Sequence, residues 1–492
     1  MPKDDFSVGE IKRFLEIWSA SEEWRARLTE DHEGLVALYG RLPHLDEVQA
    51  ILSGAGDGVA IRDDIQAYTD FVGEKIAYRE RVKVQCEPDH PGFRAWRRRQ
   101  IARNVAENGQ NADNFIIHTP VAIEYSQGCS VGCWYCGVDA DKLRKVFEYS
   151  PENAQLHRDI VQICLEKIGP AVQWACSYWA TDPLDNPEYE NFMVDFHEVT
   201  GMFPQTTTAQ PDKHLERVRE LLKLSRSKGQ FVDRFSIQSL KQFDEVLRFF
   251  PADELKNVEL VMQQPQALNS FKANAGRFYR LAEKNEKLID REKAKFKGFM
   301  LDHANGQALG DSELESAAKE FELPGTNSCM SGFWINLAER FIRLASPTHG
   351  SEIWPGGWIL FEEVNFEDAA DFEQKLEGLM QRNMPECLPA GTPTAFGRGY
   401  DFEPIERGFA LSTTHQRADV RPTEEDRSFA LIGKLLHRGK NTPEEIAVLS
   451  GYQDGEPEAR TMAVLRHFFD RGFLKEEPDE NFFERQVAAR RG

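Results

Sequence analysis

The chain has no uninterrupted apolar run of the roughly 18 to 20 residues that a helix needs to span a bilayer. Its first residues, MPKDDFSVGE, lack the apolar core of a signal peptide. These absences argue against a membrane partner and predict a cytoplasmic protein. Cysteine is scarce: eight in 492 residues are too few for a disulfide scaffold, and a reducing cytoplasm keeps such thiols free. Positive charge is in deficit, with 60 Lys and Arg against 81 Asp and Glu for a formal net charge of −21. That balance opposes nonspecific attraction to nucleic acid or to an anionic membrane. The scattered histidines suggest no separate metal site.

What is present is a large apolar complement, 41% hydrophobic and 11% aromatic, enough to bury a core over three or four units. Residues 1–115 read as helical, starting with a stretch in which Ile11, Phe14, Leu15 and Trp18 recur at helical spacing. That unit ends in a run containing Arg94, Arg97, Arg98, Arg99 and Arg103, a solvated face or a dock for an acidic leader peptide. Residues 116–325 alternate short β-rich runs with amphipathic helical ones, the signature of a parallel sheet wrapped by helices. The strand candidates are PVAIEY, AVQWACSYW, FPQTTTAQ, FVDRFSIQS, VELVMQQ and FKGFML. Six such units fall short of the eight that close a barrel, so an α/β fold with an open, partial (β/α)6 barrel of TIM type is expected, its functional loops at the C-terminal strand ends. Residues 326–420, rich in Gly and Pro, read as an irregular extension over the barrel mouth. Residues 421–492 read as three helices in winged-helix-like order.

Three of the eight cysteines fall within eight residues, Cys129-Ser130-Val131-Gly132-Cys133-Trp134-Tyr135-Cys136, directly after the first strand. Thiolates are soft ligands that suit iron–sulfur clusters, and three of them on a four-iron cubane leave one iron without a protein ligand. Gly128 and Gly132 permit the tight backbone that wrapping a cluster needs. A zinc site is the alternative, but it wants a fourth Cys or His and usually a second close pair, and none stands nearby.

The motif, with Tyr135 before its third cysteine and the βα pattern behind it, resembles the radical S-adenosylmethionine (SAM) superfamily. The resemblance implies a [4Fe–4S] cluster on Cys129, Cys133 and Cys136, SAM on the open iron, and a reductant such as flavodoxin or ferredoxin. It also implies a 5′-deoxyadenosyl radical that abstracts hydrogen from the substrate. Trp179-Ala180-Thr181-Asp182-Pro183 stands where the family has a Gly-Gly-Glu-like turn, without its glycines. Ala180 and Thr181 carbonyls and Asp182 could receive the SAM ammonium, with Tyr135 beside the cofactor and Thr206, Ser236 and Gln238 at ribose and carboxylate. Each of these polar residues also fits an ordinary cap or turn.

The wording SQGCSVGCWYCGVDADKLRKVF, with SYWATDPLDNPEYENF and RFIRLASPTHGSEIWPGGW, resembles the proteusin or polytheonamide-type peptide epimerases. This implies a ribosomally made precursor peptide, leader plus core, from which a Cα hydrogen is taken and returned on the opposite face. A thiol suits as donor, because its S–H bond is weak enough to quench a carbon radical. Cys164 and Cys176 lie in apolar surroundings and read as packing residues, and Cys86 precedes the barrel. Cys387 and Cys329, in irregular segments expected over the active-site mouth, are the donor candidates, Cys387 placed first. Without a donor, the same radical would end in a crosslink, an oxidation or a backbone cleavage. A different class, an iron–sulfur winged-helix regulator, would need EARTMAVLRHFFDRG to enter a major groove despite Asp470, Glu476 and Glu477 nearby.

Overall fold

The computed structural model describes residues 5–52, 62–268, 270–304, 322–421, 428–454 and 458–478. The first helix, Val8–Ala20, starts at a reciprocal cap: the Ser7 hydroxyl accepts from Glu10 N at 3.1 Å, and the Glu10 carboxylate accepts from Ser7 N at 2.8 Å. Its Ile11, Phe14 and Ile17 are fully buried, three residues apart, on one face. Arg13 donates to Tyr39 O at 2.7 Å and to Phe250 O at 2.5 Å, tying this helix to the barrel wall. Ile11 and Phe14 share one apolar core with Phe235, Phe243 and Phe333. The N-terminal helices therefore pack as part of the barrel's own core.

The α/β region begins with β1 (Thr119–Glu124), buried along its whole length. A small hairpin of β2 (Ser126–Gln127) and β3 (Lys145–Val146) encloses the cysteine loop. β4 (Thr207–Thr208), β5 (Asp233–Ile237) and β6 (Val258–Met262) form a parallel sheet. β7 (Met330–Asn336) pairs in parallel with β1, and β8 (Phe341–Pro347) and β9 (Trp358–Asn365) continue that sheet antiparallel. The result is a mixed α/β fold with no closed barrel among the described residues.

Several expected elements differ. AVQWACSYW holds a 3-10 helix, Pro170–Trp174, followed by one parallel bridge from Cys176 to Ala122 of β1. FPQTTTAQ contributes two strand residues. FKGFML lies inside the helix Glu286–Ala304. The place beside β1 goes instead to β7, and 326–420 is far from irregular: it carries β7, β8, β9, the helix Ala369–Asn383 and an antiparallel meander of β10 (Asp401–Ile405), β11 (Gly408–Ser412) and β12 (Arg417–Val420). Gly and Pro punctuate these short antiparallel strands at their turns.

The three tail helices, Ser428–Arg438, Pro443–Asp454 and Glu458–Asp470, are present. Their Ile432, Leu436, Leu465 and Phe468 join Phe396 and Phe409 in a second core. The C-terminal unit thus begins before the expected boundary at 421, because the meander supplies half of its apolar face. Glu458–Asp470 is docked by its Phe469, which lies under the Arg99 guanidinium at 4.0 Å.

The arginine run divides: Arg97, Arg99 and Arg103 are buried, while Arg94 and Arg98 stay on the surface. Arg97 donates to His118 O at 2.9 Å, Arg99 pairs with Glu476 at 2.6 Å, and Arg103 donates to Pro347 O at 2.9 Å. Arg94 donates to Asp89 O, and Arg98 pairs with Glu87. Among the described residues no helix is long and apolar enough to cross a membrane.

Candidate functional site

β1 delivers the chain into the cysteine loop, and two contacts from distant elements hold that loop. On one side, Asp185 accepts from Ser130 N at 2.8 Å and from Ser130 Oγ at 2.5 Å, while Gln210 Nε2 donates to the same carboxylate at 2.9 Å. On the other, Arg277 donates to Cys133 O at 3.0 Å and to Ala140 O, and pairs with Asp139 at 3.0 Å. Gly276, at φ +60°, lies so close that a Cβ would come within 2.2 Å of Cys136 O. Tyr135 is packed against Phe278 and Phe296, and its hydroxyl accepts from Gln238 Nε2 at 2.6 Å.

Cys129, Cys133 and Cys136 all line one cavity of about 520 Å³. Burial pushes the Cys129 thiol up to about 12 and raises Cys133 as well. Among the described residues no three His, Cys, Asp or Glu side chains are grouped to hold a single metal ion. A cubane spreads its thiolates over different irons, and the loop offers what that requires: three cysteines on one void, with backbone carbonyls clamped from outside. Ala180 and Thr181 line the same void and leave backbone carbonyls for an ammonium group. The residues present fit both the cluster and SAM.

The expected cofactor residues divide. Ser236 lines the cavity, as does Asp182. Asp182, however, spends its carboxylate on Ala209 N at 2.7 Å, Leu184 N at 3.0 Å and Thr208 Oγ1 at 2.9 Å, so it is a structural cap. Burial pushes its carboxyl up to about 6 against those hydrogen bonds. Thr206 is buried on the outer side, where its hydroxyl meets the Tyr189 hydroxyl at 3.1 Å, and the neighbouring Thr207 faces the cavity instead. Gln238 serves Tyr135 and does not line the cavity.

The cavity extends along β1. Its upper end is the cysteine loop past Glu124; its lower end is lined by Thr119 at the start of β1, by Arg234 and Glu259 near the starts of β5 and β6, and by Lys75 and Ile76 of the helix Asp63–Gln85. Cys329 belongs to that lower end, for its carbonyl accepts from Thr119 N at 2.9 Å. Its surface is exposed, but exposed to the cavity. Burial raises its thiol above the ordinary value, and the Arg234 charge opposes the rise. Cys387 is exposed after the helix Ala369–Asn383 and lines no part of the cavity. Cys329 reaches the cavity because it directly precedes β7, which is paired to β1. Cys176 packs against the Ala122, Met330 and Trp334 cluster, as expected, and also lines the cavity, while Cys164 and Cys86 are buried.

Arg277, Asp185, Arg234, Glu259 and Thr207 escape a reading of the sequence. For Arg234 a signal exists: in DRFSI it shares the period-2 face of Ser236. For Arg277, 144 residues from Cys133, none exists.

No family model matches the chain. Among curated proteins it is 28% identical over 495 residues to the uncharacterized protein y4wI of Sinorhizobium fredii, covering 98% of this chain and 90% of that one. Among solved structures it is similar to BtrN in complex with AdoMet and 2-DOIA, at 16% identity and a TM-score of 0.22 over 28% of this chain. The match spans 55% of BtrN, and at that score the likeness does not extend to the overall fold.

Proposed function

We propose that the chain is a radical SAM enzyme that abstracts an amino-acid Cα hydrogen from a ribosomally made peptide and returns hydrogen from Cys329, giving L-to-D epimerisation. The observation that supports the reading is the placement of three motif cysteines and one thiol at opposite ends of a single cavity. β1 measures that separation: the five steps from Thr119 to Glu124, at about 3.3 Å each, put the two ends roughly 17 Å apart along the strand. Opposite-face return requires that abstraction and donation come from opposite sides, and a donor at the floor meets the requirement that one at the mouth would not.

When bound, the cluster and SAM supply the radical that takes the hydrogen. The chain's own residues do the rest. Arg277 and Asp185 fix the cysteine loop, and Tyr135, held by Gln238, walls the cofactor end. The raised Cys329 thiol stays protonated at neutral pH, and only the protonated form has a hydrogen atom to give. Donation breaks S–H homolytically and forms C–H; the sulfur then regains one electron from a reductant of the ferredoxin or flavodoxin type and one proton from solvent.

The test is turnover of the reconstituted protein with SAM, reductant and a co-encoded precursor peptide in D₂O. The wild type is expected to release 5′-deoxyadenosine and to place one deuterium per modified residue. Cys329→Ala is expected to keep 5′-deoxyadenosine release and lose deuterium gain, with Cys387→Ala unaffected. Undiminished deuterium gain in Cys329→Ala would sink the assignment.

A further inference from the structure

The floor of the cavity carries charge that neither the cluster nor the thiol explains. Arg234 Nε donates to Glu259 Oε2 at 2.7 Å, and Lys75 Nζ lies 3.0 Å from Glu259 Oε1. Burial alone would raise the Glu259 carboxyl; the two cations outweigh it and hold it at about 2, so it is an anion at any physiological pH. Two cations thus share one carboxylate, which leaves one net positive charge in an enclosed space. This is the reverse of the whole chain's charge of −21.

The geometry of Arg234 sharpens the point. A guanidinium offers five N–H donors in a planar fork matched to a carboxylate. Here one is used: among the described residues neither terminal nitrogen of Arg234 has a hydrogen-bond partner. Arg234 keeps 37% of its side-chain surface accessible, and that surface belongs to the cavity. Its terminal nitrogens are not buried, so their donors stand open to an acceptor that enters the cavity. Beside it, Tyr178 donates to Gln205 Oε1 at 2.5 Å and accepts from Thr207 Oγ1 at 2.7 Å, so this neighbouring network is already satisfied and does not compete for the guanidinium. Cys329 lines the same floor, within the electrostatic reach of Arg234.

We infer that the cavity floor is an anion subsite in which the free fork of Arg234 receives a carboxylate of the substrate beside the Cys329 thiol. The inference rests on the proposed function only in taking the occupant to be the substrate. It defines the modified unit as one that carries a free carboxylate, either a terminal α-carboxylate or an acidic side chain. Held there, the carboxylate would set which carbon stands over the thiol. Ile76 and Phe115, 51% and 45% exposed, also line the cavity.

Alkylation of Cys329 tests the subsite without cluster, SAM or turnover, so its outcome is independent of the epimerase reading. Iodoacetate and iodoacetamide are reacted with the full chain, and each cysteine is followed by peptide mass. The rate ratio of the anionic to the neutral reagent cancels the thiolate fraction, which both share. Cys329 is expected to show a ratio roughly tenfold above that of Cys387. Arg234→Gln is expected to abolish the difference, Arg234→Lys to keep part of it, and Glu259→Gln to enlarge it, a gain that misfolding would not produce. Protection of Cys329 by N-acetylalanine but not by its amide would assign a terminal carboxylate. Protection by acetyl-Ala-Glu-Ala amide would assign an acidic side chain. Equal ratios at Cys329 and Cys387, unchanged in Arg234→Gln and Glu259→Gln, would overturn the inference.

Discussion

Glu124, the last residue of β1, shows how much one side chain can carry. It is 1% exposed, and it accepts from Ala180 N and from Asn336 Nδ2 at 2.9 Å, joining β1 to the turn at Ala180 and to β7. Burial pushes its carboxyl up to about 7, against the hydrogen bonds that favour the charged form. The unfolded value is about 4.3, so the folded state binds more protons between those limits. Its contribution to stability is therefore greatest in acid and declines as pH rises from about 4.3 to 7, by on the order of 3 kcal/mol. Glu124→Gln cannot titrate. In urea unfolding, the variant is expected to lose more stability relative to wild type at pH 5 than at pH 8; a difference independent of pH would contradict the raised carboxyl. At the same scale, Thr206 and Thr207 differ by one residue and by everything else, because alternate strand residues face opposite sides. Sequence placed a threonine at this strand end but could not say which of three in a row faced inward.

At the scale of elements, the helix Glu286–Ala304 matters most for the cysteine loop. Leu288, Ile289 and Phe296 share one apolar face, and Phe296 is buried against Phe271 at 4.5 Å in the cluster that contains Tyr135. The short run FKGFML looks strand-like when read alone; read over four turns, its apolar spacing is helical, and the longer period wins. Phe296→Ala is expected to cost about 3 kcal/mol and to loosen the wall behind Tyr135. Anaerobic reconstitution should then retain less iron per chain than wild type, measured by iron and sulfide content; full iron retention at reduced stability would show that the helix does not support the loop. β7, paired in parallel with β1, is buried at all seven of its residues, a strand that needs cover on both faces.

At the scale of the molecule, the second core is joined to the barrel by Arg99. Its guanidinium pairs with Glu476 at 2.6 Å and covers Phe469, with 2% of its side chain accessible. Arg99→Met keeps much of the apolar contact but strands a buried carboxylate, at a cost of about 3 kcal/mol. The C-terminal unit is expected to separate first: limited proteolysis should cut near residues 385–395 in the variant at concentrations that spare the wild type. An unchanged digestion pattern would mean that the two cores are held together by other contacts.

By itself the sequence determined what depends on near neighbours in the chain. The spacing of Cys129, Cys133 and Cys136, the buried first strand, the amphipathic opening helix and the three tail helices are local patterns, set by one loop or by one helical period. Tertiary structure decided what depends on distant segments meeting. Cys329 reached the cavity floor because β7 pairs with β1 across more than two hundred residues, and Cys387 was left outside. Arg99 and Arg103 turned inward because acceptors from Glu476 and Pro347 came to meet them. Arg234, Glu259 and Lys75 became one charged floor only when two strand starts and a helix closed on the same void. Such pairings carry no signature in local spacing, since their energy comes from contacts the chain makes only once it is folded.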